Sequence, residues 1–268
     1  MTRKVLIPDA VAPVCDRVFV DAGYQVNRMI TPTPNEIAAS IADYDAIVVR
    51  SAVEVTAELI ARGTRLRAIG RAGAGVDNID VDAATTAGVT VINTPGGNTV
   101  SAAEHTIALL MALLRKIPAA DHSMKQGAWN RSSFKGNEIC GKRIGIVGLG
   151  RIGRAVAVRL GAFEAEIIGF DPMMTADQMR EAGAEPASYE SLLASCDIVS
   201  FHLPLTDKTR SMLDAASIGT MPKGAIVLNV SRGGVVDESA LLAALESGHI
   251  AGAGIDVWEH EPPIERSL

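Results

Sequence analysis

Residues 142–154 read KRIGIVGLGRIGR. A β-branched run ending at Val147 leads straight into Gly148, Gly150 and Gly153, and RAVAVRLGAF then continues with helical spacing. In a strand–turn–helix order the three glycines have separate tasks. Gly148 permits the tight turn, Gly150 lets the backbone come close to a pyrophosphate, and Gly153 allows close helix–strand packing where the helix N-terminus is positive. The next run, EIIGFD, ends at Asp171, whose carboxylate is placed to accept from ribose hydroxyls. Pro172 and Met173 follow where an arginine would serve a 2'-phosphate, so NAD is expected rather than NADP. Arg151 and Ile152 complete the turn, and Leu203, Val230 and Ser231, near the ends of later strand-like runs, are further cofactor candidates.

Working outward, DIVSFH, AIVLNVS and AGAGID continue the series after Asp171, spaced by helical stretches such as YESLLASC and DESALLAALESG. Upstream, KVLIPD, AIVVRS, RAIGRAG and VTVINTPG repeat the rhythm with PNEIAASIADY among the intervening helices. Alternating strands and helices predict an α/β protein with parallel sheets. Two doubly wound parallel-sheet domains are expected: a flavodoxin-like substrate domain over residues 1–97 and a Rossmann NAD-binding domain over 98–268, with substrate held in the cleft between them. The boundary element is the apolar stretch from Asn98 to about Ile117, read as one helix closed by Pro118.

The 268 residues exceed the usual single-domain length, and 48% hydrophobic content supplies material for two cores. A net charge of -6 with no Lys/Arg-rich run argues against nucleic acid as a partner. Cys15, Cys140 and Cys196 are far apart and lack metal spacing, so they read as small hydrophobes in a reducing compartment, with no disulfide and no metal. The MTRKVLIPDA start has no apolar core of a signal sequence, and IALLMALL is too short to span a bilayer. A cytoplasmic protein without membrane contact is expected.

Beyond the fingerprint, GRAGAGVDNID, NTPGGNTVSAAEHT, FHLPLT, NVSRGGVVDESAL and GIDVWEHEPP resemble segments of the D-2-hydroxyacid dehydrogenases. The resemblance runs nearly from end to end. It implies hydride exchange between NAD and C2 of a small 2-hydroxy or 2-keto acid, with an arginine for the acid group and a Glu–His pair for proton transfer. Arg232 matches the arginine, Glu261 matches the glutamate and Asp256 matches a residue near the nicotinamide. Arg50, Ser51, Arg71, Asn98 and Arg131 match the substrate side. Several arginines suit a phosphate plus a carboxylate better than a monocarboxylate. The implied reaction is therefore oxidation of 3-phosphoglycerate to 3-phosphohydroxypyruvate, a step of serine biosynthesis. The alternatives are another 2-keto acid, such as glyoxylate or hydroxypyruvate, and a non-catalytic NAD-responsive binding protein.

The family's histidine follows the Glu-Pro segment in a Pro-His-Leu/Ile-Gly motif that the sequence does not contain before Leu268. An incomplete acid/base pair and slow turnover are the expectation. His105, in AAEHTIALL, is expected to pack at a domain or subunit contact rather than act in catalysis, and His122, His202 and His249 have no local acid partner. The same apolar helix suits a homodimer contact.

Overall fold

The computed structural model describes residues 2–263. The chain divides into two compact units, Met1–Asn98 and Thr99–Leu268. In the first, β1 (Lys4–Ile7), β2 (Gln25–Arg28), β3 (Ala46–Val49), β4 (Ala68–Arg71) and β5 (Thr90–Asn93) alternate with α1 (Val14–Asp21), α2 (Pro34–Ser40), α3 (Ala57–Arg62) and α4 (Val81–Thr86). The strands form one parallel sheet in the order β2-β1-β3-β4-β5. That is the flavodoxin-like order, with its reversal between β1 and β3. Leu6, Ile47, Val49 and Ile69 are buried in it against Ile37, Ile41 and Leu59. Helix starts are set by short side chains: Thr33, Thr56 and Asp80 each accept a backbone N–H at their N-cap, and Thr33 forms a capping box with Glu36.

The second unit opens with α5 (Thr99–Leu114) and α6 (Ile117–Lys125). It continues through β6 (Arg143–Val147), α7 (Arg151–Gly161), β7 (Glu166–Phe170), α8 (Ala176–Glu181), β8 (Glu185–Pro186), α9 (Tyr189–Ser195) and β9 (Ile198–Phe201). It ends with α10 (Ala215–Thr220), β10 (Ala225–Asn229), α11 (Glu238–Glu246) and β11 (Ile250–Ile255). The parallel sheet runs β11-β10-β9-β6-β7-β8, which is the doubly wound order 6-5-4-1-2-3 and confirms the Rossmann expectation. One sheet face packs with α5 and α7 through Ile144, Ile146, Ile226 and Leu228. The other packs through Val147, Val199, Phe201 and Val227.

The expected single helix over 98–117 is two helices. α5 stops at Leu114, Lys116 adopts a left-handed conformation (φ 52°), and Pro118 lies in the first turn of α6, where its missing N–H costs nothing. The break is held from a distance, because the N–H of Asn137 donates to the Leu114 carbonyl at 2.9 Å and Gly136 lies against Arg115. No helix among the described residues is long and apolar enough to cross a membrane.

Candidate functional site

Strand register places four of the cofactor candidates of the second unit, Asp171, Gly148, Val230 and Asp256, on one line. Phe170, Val147, Phe201, Asn229 and Ile255 pair in a continuous row across β7, β6, β9, β10 and β11. The next residue on each strand is Asp171, Gly148, His202, Val230 and Asp256. Four inter-strand steps of about 4.8 Å give an edge of about 19 Å at the carboxyl ends of the strands, with the reversal of strand order at its middle between β6 and β9. In open α/β sheets ligands bind at such an edge.

The glycines of the turn differ in what requires them. Gly148 has φ +92°, and a side chain there would meet the His202 carbonyl and Leu203. At Gly153 a Cβ would collide with the Gly148 carbonyl, so helix and strand touch through the missing side chain. Gly150 has neither excuse. It is the N-cap of α7 with φ -66°, and nothing lies within 4 Å of the position a Cβ would take. Any residue would fit the protein there, and the open space at this helix N-terminus would suit a ligand carrying negative charge. Beside it His202 bonds Ser200 Oγ through Nε2 at 2.9 Å, while its buried Nδ1 has no protein partner among the described residues. Burial pushes this histidine down to about 4, so the ring is neutral at ordinary pH. A pyrophosphate cradle with an orphaned polar atom at its margin fits a dinucleotide.

Asp171 is fixed by the turn it serves: Oδ2 accepts from the Leu149 N–H and Oδ1 from the Met173 N–H, each at 2.9 Å. A carboxylate has about four acceptor positions, so the anchored group can still take ribose hydroxyls. Met173, in the position where an arginine would serve a 2'-phosphate, is 88% exposed.

Arg232 follows β10 in a turn organised by Asn229, which is 2% exposed. Asn229 Oδ1 accepts from both the N–H and the hydroxyl of Ser231, and its Nδ2 donates to the Arg232 carbonyl at 2.9 Å. The guanidinium itself donates to the Ser231 carbonyl at 2.6 Å. A Cβ on Gly233 would overlap the backbone of Trp258 and Glu259, so the turn lies directly against the segment that bears Glu261. There Glu261 Oε1 accepts from the Trp258 N–H at 3.0 Å, and Glu238, at the start of α11, accepts from the Glu259 N–H at 2.6 Å. The structure thus brings the turn of Arg232 and the segment of Glu261 into one packed assembly.

In the first unit Arg50 and Ser51 follow β3 at the strand-order reversal. Asp9, past β1, accepts from the N–H groups of Arg50, Ala52 and Val53 at 2.9, 3.0 and 3.3 Å. Arg71 ends β4 and donates to the Arg50 carbonyl, as does Asn78. Arg71 and Asn78 therefore meet the Arg50 backbone, with Ser51 next along the chain, and Asn98 ends the unit. Arg131 belongs to the second unit, on a short 3-10 turn, with its guanidinium 5.0 Å from the centroid of the Trp129 ring.

Asp9, Asn78, Asn229 and Glu238 were not apparent as site residues in the sequence. They act through backbone groups, and polar residues at strand ends and helix starts are common for unrelated reasons. His105 Nε2 lies 3.1 Å from Asp256 Oδ1, so the ring meets the strand-end edge of its own unit.

Residues 107–268 match the family model described as D-isomer specific 2-hydroxyacid dehydrogenase, NAD binding domain. The chain is 45% identical over 266 residues to a D-3-phosphoglycerate dehydrogenase of Rattus norvegicus, covering 99% of this chain and 50% of the relative. It is 44% identical over 260 residues to the D-3-phosphoglycerate dehydrogenase of Bacillus subtilis (strain 168), covering 97% and 48%. It therefore spans about half the length of the curated relatives it matches. The crystal structure of a glyoxylate reductase from Paecilomyes thermophila superposes with a TM-score of 0.91 at 30% identity, covering 100% of this chain and 85% of that one. The chain belongs to the D-isomer specific 2-hydroxyacid dehydrogenases, and its second unit carries that family's NAD-binding domain.

Proposed function

We propose that the protein interconverts 3-phosphoglycerate and 3-phosphohydroxypyruvate with NAD as the hydride carrier. The observation that carries this reading is the set of arginines Arg50, Arg71, Arg131 and Arg232, in a chain whose curated relatives are named D-3-phosphoglycerate dehydrogenase. Bound NAD supplies the hydride acceptor in the oxidation. Gly148, Gly150, Arg151, Ile152 and Gly153 hold its pyrophosphate, Asp171 its adenosine ribose, and Leu203, Val230, Ser231 and Asp256 the nicotinamide half. Arg232 binds the carboxylate and polarises the C2 oxygen through a forked pair of N–H donors. Glu261 supplies the charge that orients the histidine with which the family pairs it for proton transfer. Arg50, Arg71 and Arg131 neutralise the phosphate, with Ser51 and Asn98 as neutral donors.

The test is NADH consumption on adding 3-phosphohydroxypyruvate, run beside an NADH-binding titration. Asp171→Ala is expected to weaken NADH binding by about ten- to a hundredfold, the loss of a charged hydrogen-bond acceptor. Binding unaffected by that change would remove the cofactor assignment. The glyoxylate reductase likeness favours a second reading, an unphosphorylated 2-keto acid as substrate. Arg131→Glu separates the two: the KM for 3-phosphohydroxypyruvate is expected to rise at least about tenfold through loss of a charge-assisted contact, and an unchanged KM would end the phosphate assignment.

The reading includes a homodimer and a cytoplasmic setting. Ile117 and Met124 of α6 and the nearby Trp129 are exposed apolar side chains, which supports pairing of two copies through this helix. Light scattering should return twice the chain mass, and a monomer at working concentration would remove the dimer. Cys15, Cys140 and Cys196 are all free thiols, which suits a reducing compartment.

A further inference from the structure

The run AGAGID seats a helix as well as forming a strand. Gly252 and Gly254 lie two residues apart on β11 and share a face with Asp256. A Cβ on Gly252 would stand 3.4 Å from Leu113, and one on Gly254 would stand 3.2 Å from Leu109 and 2.8 Å from Leu228. The absent side chains let α5 lie on the strand, where two residues advance about 6.6 Å while four residues of helix advance about 6 Å. The matched steps run Gly252 to Leu113, then Gly254 to Leu109. One step further brings Asp256 to His105, and there the ring Nε2 is 3.1 Å from Oδ1.

The two carboxylates at the ends of the cofactor edge are thus held differently. Asp171 is clamped by two backbone N–H groups. The Asp256 carboxylate meets the ring of His105, a side chain on another element. We propose that His105 is a positioning residue for the cofactor: by occupying Oδ1 it fixes the Asp256 carboxylate so that the second oxygen is presented to an N–H donor of the bound dinucleotide. The inference rests on the reading of Asp256 as a cofactor contact. Both side chains are about half exposed, so water competes for the pair and the effect is modest.

The experiment is a double-mutant cycle read by NADH titration. His105→Ala should weaken NADH binding by about three- to fivefold, in keeping with a half-exposed polar pair. His105→Gln, which keeps an N–H donor of similar reach, should return affinity to within about twofold of the starting protein. In an Asp256→Ala background the His105→Ala change should have no further effect. Unchanged affinity for His105→Ala alongside weakened Asp256→Ala overturns the positioning role and leaves the cofactor contact standing. Additive losses, or a Gln variant as weak as the Ala variant, overturn it as well. Full affinity in Asp256→Ala removes the cofactor contact and the inference together.

Discussion

Gly150→Ala is expected to abolish detectable NADH binding, a loss of more than about a hundredfold, while the fold stays within about 1 kcal/mol of its starting stability. The methyl group enters open space at a backbone conformation every residue tolerates, so nothing in the protein resists it. The small cost is that of alanine against glycine at an N-cap. The ligand loses more, because the new carbon stands where a pyrophosphate must approach the first N–H groups of α7. Gly153→Ala is the contrasting case. Its Cβ collides with the Gly148 carbonyl, so stability should fall by about 1–3 kcal/mol, the usual range for an overpacked site, and binding should fall with it. The check is a thermal melt beside an NADH titration on each variant. If Gly150→Ala binds NADH normally, the cradle at α7 is not where the pyrophosphate sits.

That pair of variants also marks what the sequence discloses and what it does not. The fingerprint is legible because strand, glycines, helix and terminal acid are contiguous, and each imposes a local backbone demand. The same locality made both sheets legible, since a buried parallel strand is a short apolar run and its crossover is a helix of recognisable period. The end of α5 is hidden in the sequence because its cause is elsewhere in the chain: the Leu114 carbonyl is capped by the N–H of Asn137. Asp9 was hidden because it serves N–H groups more than forty residues away. His105 and Asp256 were read separately, the first as a packing residue and the second as a cofactor residue. Only the seating of α5 on the two glycines of β11 makes them neighbours. Gly233 is similar: its sequence suits a turn, but the reason no side chain fits is the backbone of Trp258.

Arg232→Ala is expected to lower kcat/KM for 3-phosphohydroxypyruvate by about 10²- to 10³-fold, the usual cost of removing a donor that meets developing charge on a reacting oxygen. The Kd for NADH should change by less than about twofold, because the turn that carries the arginine is built by Asn229 and Ser231 rather than by the guanidinium. The geometry makes the loss large. The bond from Nη1 to the Ser231 carbonyl holds the head of the side chain before any substrate arrives, so little ordering remains to be done on binding. Arg232→Lys keeps the charge but gives up the planar fork and that anchoring bond, so it should recover no more than about tenfold of the lost rate. Asn229→Ala should resemble a weaker form of the same defect: the turn loses three hydrogen bonds and leaves the Ser231 N–H, which is buried, without its acceptor. A lysine variant as fast as the starting protein would show that position 232 supplies only charge, and the carboxylate would then have to be held by another of the arginines.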